Sequence, residues 1–278
     1  MTYKIIIDSC GELTDTMKQD GHFCNVALEL SVDDYRIRDD ETFNQADFLR
    51  RVKESKNCPK SSCPSPESYM EAFGDAEHIY MVTLSSQLSG SYNSAEIAKN
   101  IYLEEHPNAD VYVFDSRSAS IGETLIGLKV QELEEKGLDF KSVVEQTEKY
   151  IEEQATYFVL ETLDTLRKNG RLSNLKAVVA SALNIKPVMG STPEGMICQL
   201  GQARGMTKAL DKLVQNVVEK TKDTENRILA ISHCNCPKRA ELVKEKIQKL
   251  AKFKDIIVVD TAGVSTMYAN DGGVIMAV

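Results

Sequence analysis

The feature that most constrains the fold is a rhythm in the first half of the chain, where short apolar runs ending in polar turns alternate with helical patterns. The runs lie at residues 4–7, 26–30, 79–84 and 111–114, and the helical patterns at 44–55, 66–73, 92–102 and 121–136. Strand and helix in alternation imply a largely parallel sheet with right-handed crossovers. Ligands of such sheets sit at the carboxyl ends of the strands. Three of these ends carry hydroxyls: Asp8-Ser9, Ser85-Ser86 and Asp115-Ser116.

Residues 139–154 read as an amphipathic helix, with Asp139 as its cap and Val143, Val144, Tyr150 and Ile151 as its apolar stripe. After it the rhythm changes. Strand-like runs follow at 157–160, 196–200, 228–232, 256–260 and 273–278. Two long helices lie among them, one carrying Leu210, Leu213, Val214 and Val217, the other starting near Pro237 with Val243 and Ile247. The expectation is two α/β domains, 1–154 and 155–278. The first has a mainly parallel sheet, the second a mixed or antiparallel sheet with helices. No linker rich in Gly, Pro or Ser separates them, so they should pack closely.

Charge and composition exclude several classes. A net charge of −9 opposes non-specific nucleic-acid binding and docking on anionic lipid. Residues 207–254 carry twelve Lys/Arg against six Asp/Glu, a net of +6, leaving −15 elsewhere. That stretch reads as solvated helix faces, or as a docking face for an acidic partner. No apolar run is long enough to span a bilayer, and the first residues read as a strand rather than a signal peptide. Seven cysteines without a regular framework fit reduced thiols, so a cytoplasmic location is expected.

The sequence holds no phosphate loop, no dinucleotide fingerprint, no nucleophile elbow and no zinc helix. His233-Cys234-Asn235-Cys236 could ligate zinc only with a second cluster, for which Cys58 and Cys63 are the candidates. No metal and no cofactor are expected. What remains is serine and backbone. In Leu84-Ser85-Ser86-Gln87-Leu88-Ser89-Gly90-Ser91-Tyr92 a strand ends, a turn follows and a helix begins near Ser91. Unpaired amides and the helix dipole favour an anion there, and Ser86 and Ser89 can add donors. The alternatives are simple helix capping, a small-anion sensor, and a serine hydrolase or acyl transferase using Ser89 with His233, the one histidine at a strand's carboxyl end.

Five segments in order resemble the DegV family. They are Lys60-Ser61-Ser62-Cys63-Pro64-Ser65; Leu84 to Tyr92; Asp115-Ser116 with Ser120 and Gly122; Leu160-Glu161-Thr162-Leu163 with Gly170-Arg171-Leu172-Ser173; and Leu183-Asn184-Ile185-Lys186-Pro187. The resemblance implies two α/β domains enclosing one long-chain fatty acid, such as palmitate, stearate or oleate, with its tail in a tunnel between them. It implies no enzymatic activity of the chain itself. Where a fatty-acid kinase exists, it implies presentation of the acid to that kinase for conversion to acyl-phosphate, as part of bacterial phospholipid metabolism. The implied carboxylate contacts are Ser61 and Ser89, with Ser62, Ser86, Gly90 and Ser120 nearby, and Arg171 and Arg204 at basic positions. The family's usual Gln of the first loop is Cys63 here. Around Tyr268-Ala269-Asn270-Asp271-Gly272-Gly273 this chain lacks the histidine often carried by kinase-partner members.

Overall fold

A computed structural model describes residues 2–173 and 184–278. The first half runs β1 (Tyr3–Asp8), α1 (Asp15–Gln19), β2 (Phe23–Val26), β3 (Glu29–Val32), β4 (Tyr35–Arg38), α2 (Gln45–Glu54), β5 (Lys60–Ser62), α3 (Pro66–Glu71), β6 (His78–Thr83), α4 (Ser91–Glu105), β7 (Asp110–Asp115), α5 (Ile121–Glu135) and α6 (Phe140–Glu153). The second half runs β8 (Thr156–Val159), α7 (Asp164–Lys168), β9 (Ile185–Ser191), β10 (Ile197–Arg204), α8 (Met206–Lys220), β11 (Ile228–His233), α9 (Pro237–Gln248), β12 (Asp255–Asp260), α10 (Gly263–Ala269) and β13 (Val274–Ala277). Leu183, the first residue of the last family-like segment, lies outside the described residues.

Strands β2-β1-β6-β7 form a fully parallel sheet. Ile5 and Ile7 face α5 and α6, while Ile6 faces α3 and α4. A strand covered on both faces must be apolar throughout, which is why β1 reads as a continuous run. Asp139 caps α6 by accepting from the Ser142 amide at 3.0 Å, as its sequence predicts.

The expected single strand at 26–30 is instead two. The chain leaves the parallel sheet after Val26 and joins a small antiparallel sheet, β4-β3-β5. The Ser9 hydroxyl holds the crossing by accepting from the Leu28 amide at 2.9 Å. The segment around Ser61 supplies β5 of that sheet.

The second-half sheet, β10-β9-β8-β13-β11-β12, is antiparallel except for the parallel pair β11–β12. Helices α8 and α9 cover one face with Leu213, Val217, Val243 and Ile247. The exposed Lys208, Lys220 and Lys238 of the basic stretch sit on these helices. The opposite face meets α5 through Ile121, Leu125, Ala230 and Ala277. Helix α5 therefore lies between two sheets and is buried along most of its length. Gly127 allows this packing, since a Cβ there would stand 2.6 Å from Ile7 Cδ1. Among the described residues no helix is long and apolar enough to cross a membrane.

Candidate functional site

The carboxyl ends of the parallel strands are stitched into one platform. Asp8, ending β1, accepts from the Leu84 amide at 2.8 Å and the Cys10 amide at 3.0 Å. Ser85 N–H donates to Ser118 O at 2.9 Å, tying the turn after β6 to the turn after β7. Between this platform and the part of the second sheet that α5 leaves open runs a cavity. Its space unfilled by atoms amounts to about 810 Å³, the part open to solvent included.

The walls are chiefly apolar. Thr156, Phe158 and Leu160 line the bore together, and so does Ile275, paired in register with Phe158. Residues two apart on a strand share a face, so β8 runs along the tunnel. Leu84, Leu88, Val264 and Met196 complete much of the surface.

Beyond Leu160 the tunnel becomes polar. Helix α7 ends at Lys168, Gly170 turns the chain with a φ of +80°, and Arg171 follows. Arg171 Nε donates to Leu88 O at 3.1 Å and Nη1 to Asn169 O at 2.6 Å, so the guanidinium is braced by backbone. It lies 5.9 Å from the Tyr268 ring centroid. Strand β5 brings Ser61 to 3.3 Å from the Tyr268 hydroxyl. Ser89 lines the same tunnel, and its Oγ lies 3.0 Å from Ser91 Oγ at the start of α4. Burial pushes the Tyr268 phenol up, so it meets a ligand as a neutral hydroxyl. This end can donate several hydrogen bonds to a carboxylate, with one cation adjacent.

Below the tunnel lies a layer of buried carboxyls. Burial raises Glu12 to about 7 and Asp39 to about 6. Asp8 and Glu123 are also pushed up, by burial first. The Cys10 thiol, which lines the bore, is raised well above its ordinary value by burial and by Glu123, Asp8 and Glu12. It remains a neutral, weakly polar wall element.

The sequence-based candidates separate on this geometry. Ser61, Ser89, Ser120 and Arg171 all line the tunnel. Ser120 does so along its side: its hydroxyl donates to Glu12 at 2.9 Å and sits 2.8 Å from Ser232 Oγ, bridging the halves. Ser62 is exposed and alternates to the far side of β5 from Ser61. Ser86 is turned to Asp115, its Oγ 2.5 Å from Oδ2. Gly90 is exposed, and a Cβ there would meet only Cys63 Sγ, at 3.2 Å. Arg204, at the end of β10, is exposed and does not line the tunnel. His233 is turned to its own strand ends, with Asp260 Oδ1 at 3.4 Å and the Cys236 amide donating to Nδ1 at 3.3 Å, and no histidine lines the tunnel. Among the described residues no cluster of His, Cys, Asp and Glu is arranged to hold a metal ion. Sequence reasoning assigned no site role to Tyr268, Ser118 or Thr156. Tyr268 was detectable as the large residue opening the stretch Tyr268–Gly273, where the family's histidine is lacking.

The model of the DegV family, described as an uncharacterised protein family, matches residues 2–277. A DegV domain-containing protein of Streptococcus pyogenes serotype M1 is 36% identical over 278 residues, 99% of each chain. A DegV-family crystal structure from Ruminococcus gnavus, refined with vaccenic acid, is 55% identical, with a TM-score of 0.97 and all of both chains covered. The Fatty Acid Kinase (Fak) B3 protein of Streptococcus pneumoniae, loaded with linoleic acid, is 34% identical with a TM-score of 0.91, covering 100% of this chain and 99% of the other. With the family model spanning nearly every residue and the fold shared end to end, the chain belongs to the DegV family.

Proposed function

We propose that this chain binds one long-chain fatty acid, such as palmitate, stearate or oleate, and carries it without chemical change. Residues 1–154 supply the serine hydroxyls and residues 155–278 close the tunnel. Ser61, Ser89, Tyr268 and Arg171 hold the carboxylate. The observation that carries this reading is an apolar tunnel in whose lining those four residues come together. The relatives from Ruminococcus gnavus and Streptococcus pneumoniae hold vaccenic and linoleic acids in the same fold.

The energetics agree. A tail of roughly fifteen methylenes at about 0.8 kcal/mol each offers on the order of 12 kcal/mol before the costs of association. A hydrogen bond to a charged group adds about 1.5–3 kcal/mol. The tail therefore sets affinity and the head contacts set direction. The carrier works in the bacterial cytoplasm and presents the carboxylate to a fatty-acid kinase, as the Fak relative's name suggests. A hydrolase using Ser89 is disfavoured because Ser89 bonds Ser91 and His233 stands outside the tunnel.

Native mass spectrometry of the purified protein tests the reading. A retained long-chain acid supports it. A chain that comes empty and takes up no added oleate after delipidation sinks it, and cleavage of p-nitrophenyl esters would sink the carrier role.

A further inference from the structure

The tunnel is polar at both ends, and a carboxylate accounts for only one. Thr156 opens β8 and lies four residues before Leu160, which directly follows that strand, roughly 13 Å back along the extended chain. Arg171 follows beyond Leu160, so Thr156 marks the opposite terminus, where the far end of a tail arrives. Three hydroxyls meet there. Ser118 Oγ and Thr156 Oγ1 are 2.5 Å apart, and Ser191 Oγ accepts from the Thr156 amide at 3.1 Å. All three residues line the tunnel, and Ser118 and Thr156 are only 4% and 6% exposed.

A count of hydrogens shows what this cluster has left over. Within the Ser118–Thr156 pair one hydroxyl donates and the other keeps its hydrogen. The Ala119 carbonyl, at 3.5 Å from Ser118 Oγ, is too far to take it well. The Ser191 hydroxyl hydrogen has no acceptor among the described residues. Two buried or half-buried donors without a good acceptor among the described residues therefore belong to residues lining this part of the tunnel. An alkyl end satisfies neither, whereas an oxygen on the tail could accept from both.

We propose that this terminus reads an oxygen on the lipid tail. The ligand class is long-chain fatty acids hydroxylated at or near the ω-carbon, with Ser118, Thr156 and Ser191 as the residues that recognise the hydroxyl. The inference rests on the fatty-acid reading above and specifies the far end of the same ligand. In a wholly apolar tunnel, burying an unpaired hydroxyl weakens binding on the order of 10- to 100-fold. Here that penalty vanishes when the chain length brings the oxygen to the three hydroxyls.

The test is calorimetric titration of delipidated protein with a chain-length series of ω-hydroxy acids and their unsubstituted parents. At one length the hydroxy acid binds as tightly as its parent, within about threefold, or tighter. The ratio of the two affinities at that length falls about tenfold in the Ser118→Ala/Ser191→Ala double variant and in Thr156→Val. A hydroxy acid weaker than its parent by tenfold or more at every length overturns the inference and leaves the fatty-acid reading standing. Failure to bind any parent acid overturns both. The wild-type series decides the matter even if a variant does not fold.

Discussion

Asp39, in the loop after β4, accepts hydrogen bonds from the Gly263 and Val264 amides at 2.7 and 2.8 Å, joining the first half of the chain to the start of α10 in the second. A Cβ on Gly263 would stand 2.5 Å from Asp39 Oδ1 and 2.6 Å from Leu30 Cδ1, so only glycine permits the approach. Asp39→Ala leaves two buried amides unpaired and should cost about 2–4 kcal/mol of stability. Asp39→Asn keeps one acceptor and should cost less. Gly263→Ala should cost at least as much as Asp39→Asn. Urea midpoints check the order, and an Asp39→Ala protein as stable as wild type would remove this joint from the account.

Glu12 gives a pH dependence whose sign follows from its environment. Its ordinary value of 4.5 rises to about 7 in the fold because burial penalises the charged form more than bonds from Ser265 and Ser120 favour it. The folded state thus holds this proton more tightly than the unfolded one. The contribution is fully present below about 4.5 and is lost as pH rises through about 7, amounting to roughly 3 kcal/mol. Glu12→Gln stays neutral, so its stability relative to wild type should climb across that window. Parallel stability curves for the two proteins would contradict the assignment.

Legibility in the sequence followed how locally each element is determined. The parallel sheet was readable because both faces of β1, β6 and β7 are buried, which leaves unbroken apolar runs. Strand β5 was not, because three residues between prolines become a strand only by pairing with β3. Strand β9 was hidden by Pro187, which would argue against a strand interior. The structure tolerates it because β8 pairs only with Met189 and Gly190, leaving the other flank of Pro187 open. Helix α10 is buried on nearly every side, so no amphipathic period marks it. The same limit applied to the site. Ser61 and Ser89 came from motifs, but Tyr268 and Thr156 belong to the second half, and only tertiary packing brings them to the tunnel.

The Ser61–Tyr268 contact predicts an effect on head-group geometry more than on affinity. Tyr268→Phe keeps the ring beside Arg171 and removes one hydroxyl at the polar end. Binding of palmitate should weaken by about three- to tenfold, the equivalent of roughly 1 kcal/mol. The carboxyl carbon resonance of labelled palmitate should shift, and Ser89→Ala should shift it as well. Unchanged resonances in both variants would place the carboxylate elsewhere.

Gly195 lines the tunnel beside Ser85 and Arg117. It sits in the turn between β9 and β10 with φ +85°, and its carbonyl accepts from Ser85 Oγ at 2.9 Å. A Cβ there would lie 2.4 Å from Ser85 Oγ and 2.7 Å from Arg117 Cα, the latter a backbone atom that cannot move aside alone. Gly195→Ala therefore combines left-handed strain, about 1–2 kcal/mol, with a steric push on the turn. The turn should lift from the Ser85 and Arg117 loops, so stability should fall and bound lipid should leave faster. Ser85→Ala removes only one hydrogen bond, about 1 kcal/mol, and should speed release less. Stopped-flow displacement of a fluorescent fatty acid reads both rates. A destabilised Gly195→Ala protein that released lipid at the wild-type rate would mean that the turn stabilises the fold without closing the tunnel.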